Sequence, residues 1–265
     1  MTVSPAVVRL GDLAVVRVVG VDAGASVTGT LAERPLAFFP TAGGMSALAG
    51  IDLEGPAGSG EWTVSTVSSY GELTVRRGSL TIEPREFPVE RLSLPTAMVE
   101  LDPETTRRAD GEARRLRDLY ATAAPERRWR GPFVAPVESA RQPGGFGARR
   151  VINGLSRSPH AGLDYSAERG TPVVAANSGR VALTGEFFFP GRLVIIDHGL
   201  GLYTAYFHLD RITVAEQDVV LRGAPIGEVG ATGRATGPHL HFAVIVGSAR
   251  VDPASLLGLN LSRYE

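Results

Sequence analysis

The sequence predicts an all-β protein with one linker helix: an immunoglobulin-like β-sandwich over residues 1–100, a helical linker over 101–130 and a second β-rich domain over 131–265. Three observations carry this. Short Val/Thr-rich runs recur before residue 100 and again after 130, divided by Gly, Pro and Asp. A single charged stretch with a helix-start signal lies between them. All five histidines, His160, His198, His208, His239 and His241, fall in the second β region.

In the first region the strand candidates are LAVVRVVGV (13–21), ASVTGTL (25–31), GEWTVSTVSS (60–69) and GELTVRRGSLTIEP (71–84). Alternation such as Trp62 with Val64 turns one face of a strand to a core and the other to water. This region holds no histidine and no clustered acids, so it reads as a support or interaction module.

The stretch LDPETTRRADGEARRLRDLYATAAPERRW (101–129) opens with Asp102 as N-cap and Pro103 at the first helical position. Glu104 sits in the first turn and arginines follow, in keeping with the helix dipole. Leu116, Leu119 and Tyr120 are its apolar contacts, so a surface helix ending before Pro125 is expected. Its arginines (Arg107, Arg108, Arg114, Arg115 and Arg117) read as a solvated face.

Beyond 131 the runs FVAPVES, TPVVAANSGRVALTG, GRLVIIDHG, LYTAYFHL, APIGEVGATG and HLHFAVIV are short strands joined by glycine turns. The loop ATGRATGPH lacks the Gly-Lys-Ser/Thr order of a phosphate-binding loop.

Composition narrows the function. The chain has 265 residues, 43% hydrophobic and 21% charged, with a net charge of −1, which gives no reason to expect nucleic acid or an anionic membrane as partner. All 27 basic residues are arginine, a bias that fits a GC-rich genome. The absence of cysteine excludes disulfides, thiolate metal sites and cysteine catalysis. No run approaches the ~18 apolar residues that span a bilayer. The opening MTVSPAVVRLGD carries no signal peptide, so a cytosolic protein or a mature form is expected.

The chemistry lies in the histidines. In a strand, residues i and i+2 share a face, so His239 and His241 of HLHF project together while Leu240 and Phe242 face a core. Two imidazoles on one face are good metal ligands. His160 and Asp164 in SPHAGLDYSA add a second histidine-acid element, and a His, His, Asp set leaves a tetrahedral Zn2+ one open position, the pattern of a catalytic site. In LYTAYFHLD, alternation pairs Tyr206 with His208 and turns His208 away from the apolar side of its strand. A histidine there could serve as general base or stabilise an oxyanion. No His-Glu-x-x-His is present, so a glutamate base of the thermolysin type is not expected. His198, at a turn in IIDHGLG, reads as structural.

The three elements H-x-x-x-D, Y-x-H and H-x-H, in that order, resemble the lysostaphin/LytM-type zinc metallopeptidases, which cut the peptide stems and cross-links of bacterial peptidoglycan. GGFGARR, GLDYSAERGTPVVAANSGRVALTGE, VIIDHGLGLYTAYFHL and GAPIGEVGATGRATGPHLHFAV share the resemblance, which covers about half the chain. It implies a β-rich peptidase domain with a groove over one zinc ion, held by His160, Asp164 and His241. It makes His239 and His208 the catalytic histidines. Peptidoglycan peptide is the implied partner and the periplasm or cell exterior the implied location. Asn153, Arg149 and Arg150, shortly before His160, are candidates for binding substrate carboxylates. Two other readings stay open. A cupin-type barrel also uses His-x-His, but the glutamate that normally follows is missing from FAVIVG. A non-catalytic cell-wall binding or regulatory module could keep the same fold.

Overall fold

A computed structural model describes residues 1–138 and 143–261 of the chain. In the N-terminal third, Leu13–Val19 pairs with Thr2–Ser4 on one side and Gly44–Gly50 on the other, and Phe38–Thr41 forms the far edge. A second sheet runs in the order Val7–Arg9, Leu73–Glu83, Gly58–Val67, Ser26–Leu31 and Arg34–Pro35. The leading segment thus crosses from one sheet to the other between Ser4 and Val7. Val16, Val18, Ala47 and Ala49 of the first sheet pack against Leu31, Val64, Leu80 and Ile82 of the second. Alternation has therefore produced a two-sheet sandwich, in which each fully buried aliphatic side chain contributes about 1.5–3 kcal/mol.

The segment after the sandwich leaves it for the second half of the chain. Val89–Leu92 pairs in parallel with Arg149–Ile152, which turns back through Leu155–Ser156. The helix follows as Pro103–Tyr120. Both Glu104 and Thr105 donate backbone N–H groups to the Asp102 carboxylate at 2.9 Å, which caps the N-terminus.

The C-terminal sheet has nine strands. Its path runs Gly162–Ser166, His239–Val246, Leu202–Ile212, Gly191–Asp197, Gly179–Phe187 and Val219–Val220. Pro225–Val229 also pairs with the long Leu202–Ile212 strand, which makes that strand the centre of the domain. One face of the sheet carries Val181, Val194, Ile196, Leu202, Tyr206, Leu240, Phe242 and Val244. They share a core with Trp129 and Phe133 and, from the sandwich, Leu13 and Phe39. The sandwich is tied to this face by polar contacts as well: Arg250 to Asp52 at 2.7 Å and Arg85 to Asp252 at 2.8 Å.

The other face decides where a site can form. Leu183, Phe187, Leu193, Ile195, Tyr203, Ala205, Ala243 and Ile245 lie there under Leu116, Leu119 and Tyr120 of the helix. His239 and His241 project from this same face, because they share the parity of Ala243 and Ile245.

Candidate metal centre

Gly162–Ser166 and His239–Val246 run antiparallel with Asp164 directly opposite His241, so the pairing register brings a carboxylate to an imidazole. His160 joins them from the turn before the first strand. Its backbone is fixed on both sides, its N–H donating to Ala148 and its carbonyl accepting from Gly147. His160 Nε2, His241 Nδ1 and Asp164 Oδ1 form a closed triangle, with separations of 2.7 Å between the ring nitrogens, 2.9 Å from His241 to Asp164 and 3.0 Å from His160 to Asp164.

Hydrogen bonds alone cannot satisfy such a triangle. If both rings donate to the carboxylate, two N–H groups confront each other; if either ring lacks that proton, a lone pair faces an oxygen. A cation placed before all three atoms resolves the conflict, and a carboxylate with two imidazoles is a donor set that suits zinc. His160 is sealed, with 1% of its side chain exposed, whereas Asp164 keeps 30%, so the centre opens on the Asp164 side.

The titration behaviour agrees. Burial pushes His241 down to about 4 despite the Asp164 hydrogen bond, so its ring is neutral and its lone pair available. Burial raises the Asp164 carboxyl, but hydrogen bonds from His160 and His241 outweigh it and hold the group well below the usual carboxylate range.

Two glycines permit the close packing. A Cβ on Gly145 would lie 2.6 Å from His160 Nδ1, and one on Gly162 would lie 2.7 Å from His241 Nε2. On its other side the His241 ring stacks on Phe207, with centroids 5.3 Å apart and planes 11° off parallel.

His208 reaches the centre by a route that simple alternation misses. Tyr206 is fully buried in the core and its hydroxyl accepts the Ala176 N–H at 2.8 Å, so it does not share a face with His208. The register between Leu202–Ile212 and Gly191–Asp197 shifts between Arg192 and Val194, and His208 has φ +63°. This is a β-bulge: Leu209 takes the core position that alternation would give residue 208, and His208 swings to the histidine side. A left-handed, non-glycine residue at this place is a strained feature of the kind that gathers at functional sites. Its ring centroid lies 4.8 Å from that of His239 and 6.1 Å from that of His241.

Both flanking histidines are oriented by carbonyls. His208 Nδ1 donates to Thr232 O at 2.8 Å and His239 Nδ1 donates to Gly237 O at 2.8 Å. A carbonyl only accepts, so each ring carries its proton on Nδ1 and leaves Nε2 as a base. Burial, aided by the neighbouring His241 and His239 rings, pushes His208 down to about 3, so it is neutral near pH 7.

Residues 158–253, which contain all of these groups, match peptidase family M23. Over these residues the chain is similar to M23 peptidases. The chain is 42% identical over 128 residues to peptidoglycan DD-endopeptidase ShyA of Vibrio cholerae serotype O1, a stretch covering 48% of this chain and 29% of ShyA. It is 42% identical over 97 residues to DD-carboxypeptidase/endopeptidase Mpg of Neisseria meningitidis serogroup B, covering 37% of this chain and 22% of Mpg. The chain thus spans less than a third of the length of these curated relatives. A crystal structure of a candidate peptidase M23 from Pseudomonas aeruginosa superposes with a TM-score of 0.70 at 29% identity, covering 94% of both chains. That likeness runs through the N-terminal sandwich as well as the matched residues.

The remaining site candidates are placed differently. Arg150 reaches the centre from outside, its Nη2 standing 3.6 Å from Asp164 Oδ2 while its Nε donates to Glu90 at 3.1 Å. Asn153 is turned away, its amide spent on the backbone of Leu94 through bonds of 3.0 and 2.9 Å. Arg149 is exposed on the strand that pairs with Val89–Leu92. His198 is buried in the C-terminal half, with Nδ1 donating to Ser178 O and Nε2 bonded to Thr204 Oγ1, both at 2.8 Å. Sequence reasoning missed Thr232 and Gly237, because backbone carbonyls leave no trace in residue type. It missed Phe207 because a stacking partner looks like any core aromatic.

Proposed function

We propose that this protein is a zinc endopeptidase that hydrolyses peptide bonds in peptidoglycan stems or cross-links, acting in the periplasm or outside the cell. The observation that carries this reading is the triangle of His160, Asp164 and His241 set beside two histidines whose Nε2 atoms are free to take a proton. Bound by those three residues, zinc would supply Lewis acidity, polarising a scissile carbonyl and making nearby water a stronger acid.

The chain's own groups handle the proton. Neutral His208 accepts it at Nε2, and the resulting imidazolium stays anchored through Nδ1 to the Thr232 carbonyl. From that position it returns the proton to the departing amine. His239, held by Gly237, offers a second Nε2 for orienting the attacking water or, once protonated, for stabilising the oxyanion. Arg150 orients Asp164 from behind. The names of the Vibrio and Neisseria relatives point to bonds between D-residues as the first to assay.

The test is zinc analysis of the purified protein together with mass analysis of fragments released from cell walls of known chemistry. One zinc per chain and defined peptide cleavage are expected, with both lost in His241→Ala. Full cleavage by a His241→Ala protein verified to be metal-free overturns the reading.

A further inference from the structure

The loop between the Pro225–Val229 strand and the His239–Val246 strand does more than connect them. Its Thr232 carbonyl holds His208, its Gly237 carbonyl holds His239, and Gly230 accepts the His239 N–H at 3.1 Å. Arg234 lies between these anchors. Its backbone N–H donates to Phe189 O at 2.9 Å and its guanidinium stacks over the Phe189 ring, 4.1 Å from the centroid.

The Phe189 platform is itself held. Glu112 of the linker helix accepts the Phe188 N–H at 2.7 Å, and Pro190 accepts the His208 N–H at 2.8 Å.

Three other half-buried arginines of the C-terminal half have carboxylate partners: Arg150 has Glu90, Arg128 has Asp197, and Arg250 has Asp52 and Glu54. Arg127 instead lies over the rings of Phe39 and Trp129, two core residues, rather than on a loop beside the histidines. Among the described residues, no carboxylate or carbonyl pairs with the Arg234 guanidinium. Its charged neighbours are of like sign. Burial, and then Arg150 and Arg157, push its pKa down to about 10, which leaves it a cation at neutral pH. Arg157 Nε is likewise buried without a partner.

We infer that Arg234 is a specificity-determining residue of the substrate groove, binding a free carboxylate carried by the peptide next to the scissile bond. The inference rests on the hydrolase reading above. A guanidinium placed over an aromatic ring and partly desolvated keeps its paired N–H donors available in the geometry that a carboxylate accepts. Arg150 and Arg157 are near enough to add positive field. The loop that positions both free Nε2 atoms thereby also positions the anion-binding group, so carboxylate recognition and proton transfer share one backbone segment.

The test uses zinc-loaded full-length protein and two fluorescein-labelled peptides ending in D-Ala-D-Ala, one with its free C-terminal carboxylate and one as the carboxamide. For the wild type, kcat/KM for the carboxylate form is expected to exceed that for the carboxamide by about 10- to 100-fold, chiefly through KM. In Arg234→Gln this ratio falls towards one, and Arg234→Lys, which keeps the charge but loses the paired donors, retains part of it. A ratio near one in the wild type, or an undiminished ratio in Arg234→Gln, overturns the inference. Fluorescence anisotropy with zinc-loaded His208→Ala, with and without Arg234→Gln, reads the same preference without turnover. Carboxylate preference in binding, without hydrolysis by the wild type of either peptide or of purified peptidoglycan, overturns the hydrolase reading alone. Equal binding of both peptides overturns the subsite.

Discussion

The N-terminal sandwich and the C-terminal sheet are built from the same kinds of residue, yet they spend their interiors differently. The sandwich closes two sheets over an aliphatic core, and among the described residues its one buried polar side chain is Ser46. The C-terminal half buries His160, Asn177, His198, Thr204, His208, His241 and Asp252. Buried polar groups cost free energy unless each finds a partner. Their concentration in one half, each tied to a carbonyl, hydroxyl or carboxylate or, for Asp252, to the Arg85 guanidinium, marks where folding stability has been traded for chemistry. An aliphatic core tolerates sliding and repacking. A set of imidazoles that must converge within 3 Å does not, which is why the second sheet carries a bulge, close glycines and carbonyl clamps around its histidines.

The sharpest way to break this contrast is at the bulge. His208→Ala is expected to keep its metal while losing about 10²- to 10⁴-fold in kcat, measured on released peptides with zinc content as control. Loss of metal instead would show that His208 serves the triangle itself. A smaller effect is expected from Leu80→Ala, which cuts a cavity in the sandwich core. It should lower unfolding stability by about 2–5 kcal/mol in denaturant titrations and leave zinc stoichiometry unchanged. A fall in zinc content would show that the site leans on the sandwich.

Arg150→Gln tests the outer shell of the centre. Metal affinity, measured by competition with a chelator, should weaken by about 10- to 100-fold, because the Asp164 carboxylate loses its orienting cation. A further expectation is a pH dependence. Burial holds His198 down to about 4, against 6.5 for the free side chain. Below 6.5 the unfolded chain takes up a proton that folded His198 refuses. The stability this contributes is therefore full above pH 6.5 and is lost as pH falls towards 4. Thermal unfolding should show a Tm that declines over that window. Since the sandwich contains no histidine, a Tm independent of pH there would mean that the sandwich alone limits stability.

Much of this was legible in the residues. The strand alternation, the Asp102-Pro103 helix start and the shared face of His239 and His241 all follow from local geometry, which depends only on neighbours in the chain. So did the late clustering of the histidines and the resemblance carried by three spaced motifs. Other features depend on pairs distant in sequence. The register that sets Asp164 opposite His241 joins residues 77 apart. Alternation grouped His208 with Tyr206, whereas the bulge separates them, because a one-residue insertion in a ladder cannot be read from residue types. Asn153 looked suited to substrate and instead fastens Leu94. The carbonyls of Thr232 and Gly237, which decide the tautomers of both flanking histidines, exist as groups in every residue and acquire a role only through position. The sequence alone determined which side chains were available for the chemistry. Tertiary structure decided which of their atoms meet, because that rests on backbone register and long-range packing.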